Sequence, residues 1–464
     1  MKRIVGSRYV FIALIGLFAV HAVIIASLSS FPMAFDESYH LKLIEHYTET
    51  ASPFMASQPA DLDVVGDVTR LTSYLFHFIM SFPLKVVSLF TENLQAQIVV
   101  LRLINVGFVI AALMLMRVFF NRLTGSRVVT NAAVLLYCAL PVTSLLAAHI
   151  NYDNLLFLAF AGLLVSAQSI AVLIKDGKRL TVTRLSVFLS ICLLGSLVKF
   201  TFLPIAMVVG LFVLVLVMHK KSWKRVSLPH TNRAHMTAAG SLVLCAMAVG
   251  LFAERVGMNV VEYGTPQPDC AAVQSVSSCM QYGPWARNHN LETAAAGDAA
   301  FEGRSVQGYA ANVWVPLMLR GLGGVDDHGI VSEMPKPVLI GLMATAAALV
   351  VGMVFKLLRR KDPILGMVVT ATGLYMLMLL QRNYSEFMNL HEIVAVQGRY
   401  ILPFIIPVVA IGMIGMLEYM RLFARFIRNT VGQLISFGEL EPREAYERSA
   451  SYWSAKVWRR SVQG

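Results

Sequence analysis

Along the chain, apolar residues come in runs of about 20, the length that crosses a bilayer core, divided by short polar segments. The runs cover residues 9–28, 101–120, 128–148, 154–174, 184–200, 201–218, 237–256, 336–357, 364–381 and 400–420. Each predicts a membrane-spanning helix, about ten in all. The fifth and sixth are nearly continuous. They are divided at "LVKFTFLP", where Lys199 and Pro204 predict a tight turn because proline interrupts helical hydrogen bonding. The first run is too long for a signal-peptide core and has no clear small-residue cleavage site after it, so it is read as an uncleaved first span.

Composition narrows the class. Of 464 residues, 57% are hydrophobic and 14% charged, against about 25% charged in soluble domains. Mean hydropathy is +0.65. The expected fold class is therefore an all-α polytopic membrane protein. The net charge of +12 does not indicate a nucleic-acid surface, because the basic residues lie in short clusters between apolar runs. Those clusters occupy every second connection: Lys2, Arg3 and Arg8; Arg117, Arg122 and Arg127; "KDGKR" at 175–179; "HKKSWKR" at 219–225; "KLLRRK" at 356–361; and Arg421, Arg425 and Arg428. By the positive-inside rule both termini are cytoplasmic.

Two large loops then face outward, about 29–100 and 257–335, and a basic cytoplasmic tail occupies 421–464. The apolar stretch 71–90 reads either as an eleventh span or as a helix lying on the membrane. The second is preferred, since one more crossing would invert the charge alternation of every later loop. No internal repeat of the transporter kind is visible. Cys138, Cys192 and Cys245 fall inside spans, whereas Cys270 and Cys279 share an outer loop, an oxidising setting in which a disulfide is expected. No paired Cys or His spacing marks a metal site.

Ionisable groups collect at the outward rim. "FPMAFDESYHLKLIEHY" (31–47) follows the first span and brings Asp36, Glu37 and His40 together; Asp36 and His40 share a helix face. Asp36 reads either as a helix cap or as a base, since a carboxylate beside apolar surface gains basicity. Asp153 in "HINYDNLL" is likewise a cap or a second acid, accompanied by His149, Asn151 and Asn154. Lys199 and Arg399 lie at the same rim, reading either as headgroup-seeking cations or as a grip on a phosphate. Two acids and two cations on one side suit group transfer from a phosphate-linked lipid: the carboxylate takes the acceptor proton and the cations stabilise the departing phosphate.

The order "FDESYH", "YDNLL", a lysine closing the fifth span, "NVWVPLMLRGLGG" and "QGRYILP" resembles the membrane glycosyltransferases of the GT-C superfamily. The likeness is to the bacterial branch containing the protein mannosyltransferase-like and aminoarabinose transferase-like enzymes, and it covers roughly residues 1–420. It implies a GT-C-like bundle, residence in the bacterial cytoplasmic membrane, a polyprenyl-phosphate sugar donor and an extracytoplasmic glycan, lipid or protein acceptor, with an inverting outcome. By position, Asp36 would be the general base, Glu37 its support or a group that positions the acceptor, and Asp153 the second acid. Lys199 and Arg399 would hold the lipid phosphate, with His40, His149, Asn151 and Tyr400 nearby. Some distant relatives bridge the donor phosphate with a divalent metal; a single phosphate between two cations needs none, and no cofactor is expected. The chain departs from the family in lacking prolines at the start of the first-loop helix and a large soluble domain after the spans. A lipid-linked glycan polymerase or ligase and a lipid or glycan transporter or flippase are the competing readings.

Overall fold

The apolar runs of the sequence become helices, several of them capped by a polar residue at the run start, as at Ser7, Asn93, Ser126, Asn151 and Asp362. The computed structural model describes residues 2–59, 62–227, 232–295, 305–324, 333–360 and 362–438. Parts of the second large loop (296–304 and 325–332), Lys361 of the basic cluster and tail residues 439–464 lie outside the described residues.

After a single helical turn at Lys2–Val5, α1 (Arg8–Leu28) is capped by Ser7, and the short α2 (Glu37–Thr48) and α3 (Leu75–Ser88) follow within the first large loop. Next come α4 (Leu94–Thr124), α5 (Arg127–Ala139), α6 (Pro141–Ala147), α7 (Tyr152–Lys175), α8 (Val182–Val198) and α9 (Phe202–His219). Helix α10 (Asn232–Phe252) passes through a π-turn into α11 (Met258–Tyr263). The second loop carries α12 (Gly283–Ala295) and α13 (Val315–Gly323), and the chain closes with α14 (Lys336–Arg359), α15 (Pro363–Leu390) and α16 (Leu402–Gly438). A single two-residue parallel pairing, Leu180–Thr181 with Val226–Ser227, is the strand content of the described residues.

Among the described residues, eight helices are long and apolar enough to cross a bilayer alone, and nine if the bent pair α5–α6 is one span. The bend is 75°. Pro141 causes it by holding Leu140 in an extended conformation (φ −72°, ψ 124°). Helix α8, at 17 residues, reaches about 26 Å, slightly less than a hydrocarbon core. Helix α3, at 14 residues, reaches only about 21 Å and is too short to cross, so 71–90 does not form an eleventh spanning helix. It packs along α2 instead. The turn expected at Lys199 is present, with the lysine in extended backbone between α8 and α9.

Large apolar side chains cover the outside of the spans; Leu17, Leu211, Met247, Ile340 and Leu377 are all exposed, as a lipid-facing surface requires. Between helices, lipid leaves little hydrophobic driving force, so close packing and internal polar bonds hold the bundle. Helices α14 and α16 meet through Gly352, Gly412 and Gly415, whose backbones lie so close that a Cβ on any of them would strike the other helix. Aromatic rings fill the centre: Phe404 of α16 packs on Phe160 of α7 and stacks on Tyr375 of α15.

Candidate functional site

The connection from α1 to α2 is held by a buried ion pair. Arg102 of α4 is fully buried; Nε and Nη2 donate to the two oxygens of Glu37, and Nη1 and Nη2 bond the carbonyls of Ala26, Ser29 and Ser30. The backbone N–H groups of Met33 and Ile150 also donate to Glu37, giving each carboxylate oxygen two partners. Burial alone would raise this carboxyl, but the Arg102 hydrogen bonds lead the effects that hold it below the usual range. Glu37 thus anchors the loop, with both carboxylate oxygens already engaged by Arg102 and by backbone N–H groups.

Asp36 has a different environment. Phe35 and Asp36 both adopt left-handed backbone (φ 65° and 64°), costing about 1–3 kcal/mol each outside glycine. The side-chain amide of Asn151 donates to the Phe35 carbonyl at 3.1 Å and so helps hold this turn. As a result Asp36 does not cap α2, since its side chain makes no bond to the helix N-terminus. Its carboxylate stays 69% exposed and accepts from Arg399 Nη2 at 3.2 Å.

Asp153 lies in the first turn of α7, but the cap is Asn151, whose side chain accepts from the Asp153 N–H. Freed from capping, Asp153 pairs with Lys199 at 2.6 Å. The Lys199 ammonium sits over the rings of Tyr152 and Tyr400 at 4.4 and 4.9 Å, and the Arg399 guanidinium lies 4.7 Å from Phe35 and 5.2 Å from Tyr400. Tyr400 therefore stands between the two charged pairs, its backbone carbonyl held by the Tyr375 hydroxyl. Residues more than 360 positions apart in sequence meet here, and Asp153, Arg399 and Tyr400 line one small cavity with Tyr375 and Asn154.

Arg399 is placed by two glycines. Gly398 in the turn Gly398–Ile401 abuts Gly321 of α13, and a Cβ on either would enter the other's backbone. This contact joins the "LRGLGG" and "QGRY" segments. Arg399 Nε and Nη1 are buried with no protein partner, as is Asp153 Oδ2. Buried donors of this kind are costly, so the guanidinium is ready to accept an anion.

The histidines are neutral elements of the surrounding shell. His40 Nδ1 and His77 Nε2 share one hydrogen bond of 2.9 Å with their rings stacked. Burial pushes His40 well down and takes His77 to about 3. Burial likewise brings His149 to about 4; its Nδ1 bonds the Leu145 carbonyl and its ring packs on Phe35. From sequence Arg102 reads as a peripheral charge near the outer end of a span; in the structure it and Asn105, one turn apart in an apolar helix, are fully buried, a setting that marks functional or anchoring groups in membrane spans. Asn105 Oδ1 accepts from the Asn151 backbone and the Asn154 amide, locking the start of α7. His77, Tyr375 and Tyr282 carried no sequence signal apart from their chemistry.

Cys270 and Cys279 form the expected disulfide, and Cys138, Cys192 and Cys245 are free thiols. No cluster of metal-ligating side chains occurs among the described residues. No family model matches the chain, and neither a curated protein nor a solved structure does.

Proposed function

We propose that this chain is a membrane glycosyltransferase that moves a sugar from a polyprenyl-phosphate carrier to an extracytoplasmic acceptor. One observation carries the reading: a solvent-reachable carboxylate, Asp36, touches a buried guanidinium, Arg399, that has two unused N–H groups. A base and an anion grip at the bilayer rim are what transfer from a lipid phosphate requires.

In this mechanism the donor phosphate displaces Asp36 from Arg399 and takes the free guanidinium donors in planar geometry. Lys199, held by Asp153, adds positive charge on the other side of Tyr400. Asp36 accepts the proton of the acceptor hydroxyl as that oxygen bonds to the anomeric carbon. The bond from that carbon to the phosphate oxygen breaks, and its electron pair leaves with the lipid phosphate. Attack opposite the leaving group inverts the anomeric centre. Asn151 and Phe35 serve by positioning Asp36.

Asp36→Asn should abolish transfer to a membrane acceptor while donor affinity, measured with radiolabelled polyprenyl-phosphate sugar, stays within a few-fold. In the same assay Arg399→Ala should weaken donor binding by about tenfold or more, the size of one lost charge-assisted bond. Transfer surviving Asp36→Asn sinks the base assignment. The bent pair α5–α6 next to His149 favours a second reading, a lipid-linked sugar carrier, because broken helices line transport paths. A carrier would move labelled donor across vesicles without releasing free polyprenyl phosphate.

A further inference from the structure

A cavity of about 380 Å³ lies between α12, the disulfide-closed segment and the C-terminal end of α15, within the size range of small-ligand sites. One wall is a single face of α12: Trp285, Asn288, His289 and Glu292 stand at i, i+3, i+4 and i+7. None of its residues is fully buried; Trp285 and Asn288 are half-buried and, with His289 and Glu292, line the cavity.

Aromatic stacking and a hydrogen bond order this wall. The Trp285 and His289 rings stack with centroids 4.8 Å apart and planes 12° from parallel. The indole N–H donates to both oxygens of Asp269 at 3.1 Å, and Asp269 adjoins the Cys270–Cys279 bridge. From α15, Glu386 and Asn389 face the same space. Arg382 bonds one Glu386 oxygen at 3.0 Å, leaving the buried Oε2 without a partner. Just before α12, Tyr282 packs its ring on Gly66, and burial together with the Asp36 charge pushes its phenol up to about 12.

We infer that this cavity is a saccharide subsite, in which a sugar ring lies against the Trp285–His289 wall while Glu386, Glu292 and Asn389 take its hydroxyls. An aromatic plane suits the apolar C–H face of a sugar, and carboxylates and amides are the groups that bond a ring of hydroxyls. A peptide would call for a strand edge or an apolar side-chain pocket; the one strand pairing among the described residues lies at the opposite end of α9, beyond His219. That the bound sugar belongs to the acceptor rests on the transferase reading; that a sugar binds here does not.

The test is calorimetric titration of the full chain in lipid nanodiscs with free mono- and disaccharides, including maltose, cellobiose and diacetylchitobiose, and with triglycine. At least one saccharide should bind saturably. Trp285→Ala should weaken it about tenfold or more, Trp285→Phe should weaken it less, and Asn389→Ala should weaken it independently. Trp223→Phe, in the distant Ser222–Arg225 turn, should change nothing. Absence of saccharide binding, binding unaffected by both Trp285→Phe and Asn389→Ala, or binding of triglycine alone overturns the subsite. Loss of the subsite while transfer still depends on Asp36 removes this inference only; saccharide binding with transfer surviving Asp36→Asn removes the transferase reading only.

Discussion

Asp36 and Glu37 are neighbours with opposite fates, and backbone geometry separates them. The left-handed turn at Phe35 and Asp36 directs one carboxylate to Arg399, while the next residue enters α2 and is enclosed by Arg102. Removing one partner of a buried ion pair leaves an uncompensated charge, a loss of about 3–5 kcal/mol. Glu37→Gln should therefore lower thermal stability in detergent by that order at pH 7. Against the effect of burial, the Arg102 hydrogen bonds hold the Glu37 carboxyl below the usual carboxylate range in the folded chain, so its contribution is fully present above that range and fades as pH falls through the folded value. The gap between wild type and Glu37→Gln should accordingly close in acid. A gap that is constant from pH 7 to pH 3 would show that the pair is not the source.

At the level of elements, the site depends on short segments meeting at close range. The turn bearing Arg399 can sit against α13 only because both sides lack a Cβ at Gly321 and Gly398. Gly398→Ala should cost about 1–3 kcal/mol, as overpacking does, and should weaken donor binding by moving Arg399. Gly107→Ala in α4 is the control: nothing lies within 4 Å of its added methyl, and the better helix propensity should leave stability unchanged or raised by up to about 1 kcal/mol. Equal losses for both, read from thermal melts, would contradict the packing argument. The bend at Pro141 acts similarly, turning α6 out of line with α5 before the chain reaches His149, Asn151 and Asp153.

Across the whole molecule, the four charged residues of the site lie at one end of the bundle, and the Lys356–Glu418 pair lies at the other, near the basic connections. If α8 and the bent pair each cross once, ten crossings result and both termini share the basic side. Single cysteines at Trp223 and Arg287, in a background lacking Cys138, Cys192 and Cys245, should then react with an impermeant maleimide from opposite faces of sealed vesicles. Labelling from the same face would exclude that topology. The all-α class, the long apolar helices and most helix ends were legible in the sequence, because partition into lipid is a nearly additive property of consecutive residues. The disulfide was legible too, from two cysteines sharing one loop. What only the tertiary structure decided was partnership: Glu37 with Arg102, Asp36 with Arg399, Gly321 with Gly398, and α12 with the end of α15. Those contacts join positions up to 363 residues apart, and their energies depend on distance and burial in space, which local patterns of polarity do not encode.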